Sequence, residues 1–278
     1  KGEASVNDGR FTFSFVVPKD IGYSIGKGKI IYYAENQNVD AHGFDTSIYI
    51  GGAPEQVIVD DTGPVINLFL NDSNFVNGGI ADANPKLFAT VADESGINAT
   101  GAGIGHDIVA YLNGNTSEVF VLNEYYETLQ DNFTAGTISY PLQNLEPGWH
   151  TLTLKVWDII NNSSEQTIEF RVLAQTDQVI KNVYNYPNPF MSTTRFNVEH
   201  NMSDQQLQVT IDIFDLSGRI VRRIEHNLFA GGYRLEPIIW DGTNAQGERL
   251  EGGIYPYRVT IENEIGDSVQ NFSKLILQ

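Results

Sequence analysis

Apolar and polar residues alternate with a period of two along much of this chain. In the stretch TLTLKVW, the apolar residues Leu152, Leu154 and Val156 are separated by polar ones. Successive side chains of a strand point to opposite faces, so this alternation predicts strands with one buried face. The stretches LQVTIDI and YPYRVTI follow the same rule. The pattern therefore predicts an all-β protein.

Turn residues divide these strand signals into three predicted domains. Residues 1–59 contain three strand signals, too few for an independent core. We expect this partial β-sandwich segment to be truncated or to complete a neighbouring domain. Residues 60–174 contain seven strand signals, which is typical of an immunoglobulin-like β-sandwich. After a polar linker, AQTDQVIKN, residues 175–278 form a second predicted sandwich.

Three local patterns give further expectations. In the first segment, Phe11, Phe13 and Phe15 fall on one face of an alternating run. The best helical candidate is short and lies at 124–130, EYYETLQ. The stretch DLSGR predicts a hairpin turn in which Gly218 adopts a positive φ.

Composition and charge exclude several classes of protein. Charged residues are 19% and hydrophobic residues 41% of the chain, which is ordinary for a folded protein. The formal net charge of -18 disfavours binding to nucleic acid or to anionic lipid. The longest apolar runs fall short of the roughly 20 residues that span a bilayer. No signal peptide is visible at Lys1, so we take the chain to be mature or truncated.

The sequence offers little catalytic chemistry. Because the cysteine count is 0, cysteine nucleophiles, disulfides and cysteine-based zinc sites are excluded. The five histidines show no metal-ligand spacing. The glycines of GAGIGHDIVAYL lack the lysine and the following helix of a phosphate-binding loop. We therefore assign no catalytic, cofactor-binding or metal-binding residues and no cofactor, and we predict that this chain is not itself an enzyme.

Two binding hypotheses remain open from residue types alone. Asp60, Asp61 and Asp93 supply the oxygen ligands that Ca²⁺ prefers and would meet at a domain junction. Against this, acidic turn residues are common and no EF-hand spacing occurs. The tyrosines of GGIYPYRV would offer a platform for stacking sugars, although alternating aromatics more often form a core.

The last hundred residues resemble the FlgD-like immunoglobulin domain and the C-terminal sorting domains of Bacteroidetes secreted proteins. The motifs that carry this resemblance are YPNPF (Tyr186 to Phe190), TTRFNV, VTIDIFDLSGRIV, AGGYRLEPIIWDGTNAQGERLEGGIYPYRV and KLIL. The resemblance implies tandem immunoglobulin-like β-sandwiches, of which the last is FlgD-like.

Over nearly its whole length, the chain also resembles the C-terminal region of PorU-like, gingipain-related sortases of the type IX secretion system. The motifs include GRFTFSFVVPKDIGYSIGKGKIIYYAEN, DAHGFD, GPVINLFLND, FATVADESGINATGAGIGHDIVAYL, LNEYYE and LKVWDIINNSSE. Such a sortase is a surface cysteine peptidase and transpeptidase that removes sorting domains from exported cargo and helps to attach the cargo to lipopolysaccharide. Its catalytic Cys and His belong to an upstream domain, so no catalytic residue is carried over.

The resemblance also implies partners and a location. The partners would be a PorV-like outer-membrane β-barrel protein, the upstream peptidase domain of the same protein and, in addition, cargo sorting domains. The chain itself would have no transmembrane segment and would not bind nucleic acid. It would be exported and held at the cell surface on the outer membrane.

Two surfaces are candidates for docking, and two other functions remain as alternatives. The last strand, 272–277, would bind a partner by strand addition. The loop 241–253 would bind a partner as one of the loops at an end of the sandwich. Pro187 and Pro189 would stiffen the start of the terminal sandwich and protect an edge. The alternatives are a carbohydrate-binding or adhesin-like protein with a passive sorting tail, and a fragment whose strands complete an active site elsewhere.

Overall fold

Strands account for nearly all regular structure in the computed structural model, which describes residues 2–17, 24–36, 38–52, 60–100, 105–173 and 180–278. Within these residues, 20 strands accompany a single short 3₁₀ helix. The predicted all-β class is therefore confirmed. The chain forms two compact units, one of Lys1–Leu68, Ala89–Tyr140 and Leu152–Thr167, the other of Phe69–Phe88, Pro141–Thr151 and Ile168–Gln278.

The first segment contains four short strands in two small sheets. They are β1 (Gly26–Lys27), β2 (Ile30–Glu35), β3 (Asp40–Asp45) and β4 (Tyr49–Ile50). The hairpin of β2 and β3 is antiparallel, and β1 pairs with β4. The alternating run 11–17 is not a strand, since it forms no backbone ladder in the described residues. Its three phenylalanines nevertheless share a face, because the ring centroids of Phe13 lie 6.2 Å from Phe11 and 6.0 Å from Phe15.

The middle region forms two sheets of four and five strands. The strands are β5 (Val65–Leu70), β6 (Gly79–Ala81), β7 (Lys86–Ala92), β8 (Val109–Leu112), β9 (Phe120–Val121), β10 (Tyr126–Leu129), β11 (Asn132–Pro141), β12 (Gly148–Trp157) and β13 (Ser163–Val172). One sheet has the order β10-β11-β7-β5 and the other β6-β13-β12-β8-β9. The predicted inward residues of β12, Leu152, Leu154 and Val156, are fully buried.

The predicted helix at 124–130 is wrong. Residues Asn123–Tyr125 form a 3₁₀ turn, and β10 follows at once. Tyr126 is buried and lies opposite Ile138 in an antiparallel ladder. Antiparallel pairing with β11, the next strand along the chain, outweighs the weak local preference for helix.

The terminal sandwich consists of a three-stranded and a four-stranded sheet. Its strands are β14 (Tyr184–Tyr186), β15 (Thr194–Asn197), β16 (Gln205–Phe214), β17 (Ile220–Ala230), β18 (Ile238–Trp240), β19 (Gly253–Asn263) and β20 (Ser268–Leu277). The sheet orders are β14-β15-β18 and β17-β16-β19-β20. The core between the sheets contains Phe190, Phe196, Trp240 and Tyr257, together with the alternating apolar residues of β16 and β19.

Other expectations for the terminal sandwich are also met. The apolar residues of β16 are buried on one face, as the alternation predicts. Gly218 has a φ of 84° in the turn between β16 and β17, which a side chain would strain. The domain boundaries at 59/60 and 174/175 remain predictions, and both junctions lie partly outside the described residues.

Candidate functional site

The YPNPF motif closes the outer edge of the last strand. The Asn188 side chain accepts a hydrogen bond from Ile276 N at 2.9 Å and donates one to Lys274 O at 3.1 Å. Phe190 N donates to Ile276 O at 3.0 Å, and Gln278 N donates to Phe190 O at 2.9 Å. The peptide bonds Tyr186–Pro187 and Asn188–Pro189 are both cis. The end of the motif thus forms an isolated parallel bridge with the end of β20.

This arrangement bears on the predicted docking strand, 272–277. Its backbone from Lys274 onward already bonds to the YPNPF motif, so a partner strand cannot add there without displacing it. Leu275 and Leu277 face the core, whereas Phe272 has 61% of its surface exposed. From Lys274 onward, the outward side chains rather than the backbone of this strand are therefore open to a partner.

The loop 241–253 is held by its own hydrogen bonds. Asn244 accepts bonds from the N–H groups of Gln246 and Glu248, both at 2.9 Å. The Trp240 indole donates to Thr243 O at 3.0 Å. Arg249 donates to Asp241 O at 2.6 Å and also to Met191 O, just beyond the YPNPF motif. The loop is rigid enough to present a fixed surface.

Two tyrosines that were candidates for sugar stacking have other roles. Tyr257 is fully buried in the terminal core. Tyr255 is partly buried against that core, and its hydroxyl donates to Glu251 O at 2.8 Å. Packing, rather than a sugar platform, therefore accounts for this alternation. Most of the glycine stretch 101–105 lies outside the described residues.

Three carboxylates of the first compact unit converge. One oxygen each of Asp60, Asp93 and Asp158 lies within 4.8 Å of the others. The sequence had suggested Asp60, Asp61 and Asp93, so two of the three predicted residues meet and Asp158 takes the third place. Asp158 is fully buried, and its Oδ1 accepts bonds from the N–H groups of Ile160 and Asn162, both at 2.8 Å.

The pKa values of Asp93 and Asp60 in this cluster are shifted in opposite directions. Burial raises the pKa of Asp93 above its usual range, and the charges of Asp158 and Asp60 raise it further. A hydrogen bond from the Ser95 hydroxyl lowers the pKa of Asp60. Three carboxylate oxygens at this spacing are a ligand set suited to Ca²⁺, which takes oxygen ligands in flexible geometry.

The first segment presents an open apolar face. Phe11 and Phe13 cover one side of the β2–β3 hairpin, with ring centroids 5.6 and 6.2 Å from Tyr32. On the opposite side, Ile31 lies across from Phe44, and the two are 72% and 67% exposed. Contiguous exposed apolar patches are uncommon on soluble proteins, and where they occur they often mark interaction surfaces.

A different exposed face of the terminal sandwich was missed from the sequence. Tyr186, Arg195 and Ile239 lie side by side on the outer face of the three-stranded sheet. They are far apart in the chain, so only strand pairing brings them together. The alternation of Tyr184 and Tyr186 around a buried Asn185 was the one local signal of this face.

These strands define a protein of immunoglobulin-like β-sandwiches. Residues 185–264 match the family model of the FlgD Ig-like domain, which confirms that part of the resemblance. No curated protein matches the sequence. No helix in the described part of the chain is long and apolar enough to cross a bilayer.

A more particular similarity covers nearly the whole chain. The chain is 36% identical to PorU from Porphyromonas gingivalis, known from a crystal structure of its dimeric latent form, over 98% of this chain and 26% of that one, with a TM-score of 0.43. It thus spans about a quarter of the PorU chain's length. The sequence identity, together with the FlgD Ig-like domain, supports a PorU-like C-terminal region.

Two other solved structures have much lower similarity. The fibronectin(III)-like modules of Clostridium thermocellum CbhA are 9% identical, over 77% of this chain and 94% of that one, with a TM-score of 0.30. Bacteroides uniformis beta-glucuronidase 3 is 11% identical, over 76% of this chain and 24% of that one, with a TM-score of 0.29. Similarity this low carries no argument about function.

Proposed function

We propose that this chain is the non-catalytic C-terminal module of a cell-surface sortase of the type IX secretion system. The observation that carries the proposal is the 36% identity to PorU across 98% of the chain, which ends in a FlgD Ig-like domain. The module docks and orients an upstream peptidase domain at an outer-membrane partner. There the peptidase removes sorting domains from cargo and supports attachment of the cargo.

The chemistry of the chain supports a non-catalytic role. A cysteine peptidase needs a thiolate, and this sequence contains 0 cysteines. The relation to PorU suggests a parent protein of the peptidase class and a place at the cell surface. Under the proposal, catalysis therefore belongs to the parent, and this chain supplies binding and position.

The open side of the β2–β3 hairpin supports the orienting part of the role. Ile31, Tyr33 and Phe44 are each at least 65% exposed on one face. Covering such a face removes apolar surface from water, worth about 25 cal/mol per Å². We assign this face to contact with the upstream peptidase domain.

The glycan-binding alternative has weaker support. It expects a row of exposed aromatics on one face of the middle sandwich. Among the aromatic residues of the described stretches between 60 and 173, only Trp149 and Tyr125 are classed as exposed, at 62% and 42%. Trp149 lies in β12 and Tyr125 in the 3₁₀ turn, so they do not form a row along one strand.

A pull-down tests the docking role. One bait is this chain, and the other is the chain ending before Asp177. Circular dichroism and thermal melting first establish that the shorter bait is folded. Both are incubated with detergent-solubilised outer membrane of a bacterium that has the secretion system, and retained proteins are identified by mass spectrometry.

We expect a PorV-like β-barrel protein on the full chain only. Equal retention by both folded baits would place docking in the first two segments. If the β-barrel protein is absent from both baits and lipopolysaccharide is retained instead, the glycan-binding alternative replaces the proposal.

A further inference from the structure

The outer face of the three-stranded sheet combines apolar side chains with an arginine. Arg195 lies directly between Tyr186 and Ile239 in the antiparallel register. Tyr186 is 72% exposed and Ile239 is 61% exposed, and Arg195 is exposed as well. Cross-strand neighbours on one face lie within about 5.5 Å at Cβ, so these three side chains form one row. We call this row and its surroundings the arginine face.

A second arginine lies beside this row. Arg234 donates a hydrogen bond to the Tyr184 hydroxyl at 2.7 Å. Tyr184 is two residues before Tyr186 in β14, so both tyrosines point outward. Glu199, which lies opposite Arg234 in an isolated antiparallel bridge, accepts bonds from Ile80 N at 3.1 Å and from the Asn182 amide.

The arginine face continues into a groove of the same compact unit. Two adjoining depressions of about 270 and 280 Å³ share Phe75, Val76 and Arg234 in their linings. Val76 is 52% exposed, and Pro237 lines the second depression next to the β18 strand. The groove therefore adds an apolar wall beside the cationic row.

The charges of this face contrast with the rest of the chain. The formal net charge is -18, and the chain has 17 lysines and arginines against 35 acidic residues. In the described stretches, the ion pairs engage Lys155, Arg219, Arg223 and Arg258, so Arg195 and Arg234, like most of the other cations, form none. Two cations without an ionic partner thus share one apolar surface.

We propose that the arginine face is the surface by which the terminal sandwich binds its protein partner, and that the partner places carboxylates beside apolar side chains there. This inference rests on the proposed docking function. Tyr and Arg are enriched at the energetic centres of interfaces, where desolvated arginines form bidentate bonds to carboxylates. The aliphatic Ile239 and Val76 suit apolar protein side chains better than hydroxyl-bearing sugars.

The test compares variants with matched charge and size. Arg195→Glu reverses the charge on the face, and Arg219→Glu makes the same change in the β16–β17 turn, where the Arg219 side chain is 79% exposed. Ile239→Thr removes apolar surface while keeping a β-branched residue, and Ile265→Thr does so at an 81% exposed turn. Thermal melting establishes that all four variants fold.

The probe is a purified PorV-like outer-membrane β-barrel protein in detergent, and the readout is its Kd for the immobilised full chain. We expect Arg195→Glu to weaken binding at least about tenfold and Ile239→Thr by roughly threefold or more. The two control variants should bind like the wild type. Because ion pairing contributes, 0.5 M NaCl should reduce the difference between Arg195→Glu and the wild type.

The outcomes separate this inference from the proposed function. If the wild type binds and the arginine-face variants bind equally well, the surface assignment is overturned while docking stands. If the wild type does not bind the β-barrel protein, both are overturned. If the wild type instead binds lipopolysaccharide and Arg195→Glu does not, the face recognises a phosphorylated glycan and the protein-partner assignment is wrong.

Discussion

Asn188 and Ile276 are joined by a hydrogen bond of 2.9 Å from the Ile276 N–H to the Asn188 side-chain oxygen. The same side chain donates to Lys274 O, so one asparagine binds two backbone groups of the edge strand. An edge strand with free N–H and C=O groups is prone to pair with other chains. The YPNPF motif therefore has a structural function in this domain, because it occupies backbone groups at the edge of β20.

Asn188→Ala should destabilise the terminal sandwich by about 1–3 kcal/mol, because both backbone groups of β20 lose their partner. Urea denaturation measures the change. Asn227→Ala, at an exposed position of β17, is the matched control and should change stability by less than about 0.5 kcal/mol. Equal effects of the two substitutions would show that the motif does not hold the edge. Light scattering should also reveal more self-association of the Asn188 variant.

Asp212 joins two arginines on the β16 strand. Its carboxylate, 2% exposed, accepts bonds from Arg223 at 2.6 Å and from Arg258 at 2.7 Å. Burial alone would raise the pKa of Asp212, but the hydrogen bonds and charges of both arginines hold it below its usual range. The Asp212 carboxylate therefore stays ionised at neutral pH.

Asp212→Asn should cost about 2 kcal/mol, because Arg223 and Arg258, which are partly exposed, lose the charged acceptor of their hydrogen bonds. The exposed pair of Arg219 and Asp215 provides the comparison, since Arg219→Gln removes an ion pair that solvent screens. Chemical denaturation at pH 7 measures both free energies of unfolding. A cost for Asp212→Asn no larger than that for Arg219→Gln would contradict the importance of burial.

His200 should make the stability of the terminal sandwich depend on pH. The ring is fully buried, and its Nδ1 accepts a bond from Met202 N at 3.1 Å. Burial lowers the pKa of His200 from 6.5 to about 4. The unfolded chain therefore binds a proton between pH 6.5 and 4 that the folded chain does not. The contribution of the neutral His200 to the free energy of unfolding is fully present above pH 6.5. It is lost as the pH falls towards 4, by roughly 3 kcal/mol in total.

Thermal melting between pH 7 and 4.5 checks this dependence on His200. His200→Asn keeps an acceptor for Met202 N and removes the titrating ring. The melting temperature of this variant should therefore decrease less steeply than that of the wild type as the pH falls. The exposed His226 is the matched site, and His226→Asn should retain the slope of the wild type. Identical slopes for all three proteins would rule out His200 as the source.

The sequence predicted best those elements in which local pattern and burial agree. The alternation of Leu207 to Ile213 forces a strand with one buried face, so β16 was predictable. The segment at Tyr126 was not, because its partner Ile138 lies in a different strand. Hairpin pairing of β10 with β11, the next strand along the chain, determines this segment, and residues 124–130 alone do not reveal that pairing.

The candidate sites, too, could be predicted only in part from the sequence. Asp60 and Asp61 are adjacent, but the carboxylate oxygens that converge on Asp93 do not include those of Asp61. Only Asp60 therefore joins Asp93, and the third position falls to Asp158, which is remote in the sequence. The row of Tyr186, Arg195 and Ile239 likewise depends on the register of three strands. The acidic residue type was predictable at the first site, whereas the second site was missed, and the grouping of residues was predictable at neither.

The carboxylates of Asp60, Asp93 and Asp158 should repel one another at neutral pH, and this repulsion is testable at Asp93. Asp93→Asn keeps an acceptor for the Ser95 N–H, now bonded at 2.8 Å, while removing one charge. Because the pKa of Asp93 is raised above 3.8, the folded protein holds this proton more tightly, and the penalty is present above the raised pKa. The variant should therefore melt at a higher temperature than the wild type at pH 7 in EDTA. This difference in melting temperature should shrink as the pH falls and Asp93 becomes protonated.

Millimolar CaCl₂ should stabilise the wild type more than the variant, since an ion that binds only the folded state stabilises it by mass action. Asp61→Asn, an adjacent carboxylate outside the cluster, is the control and should respond to Ca²⁺ like the wild type. A wild type that melts at the same temperature in EDTA and in CaCl₂ would exclude calcium binding at this cluster, and a variant no more stable than the wild type would exclude the repulsion.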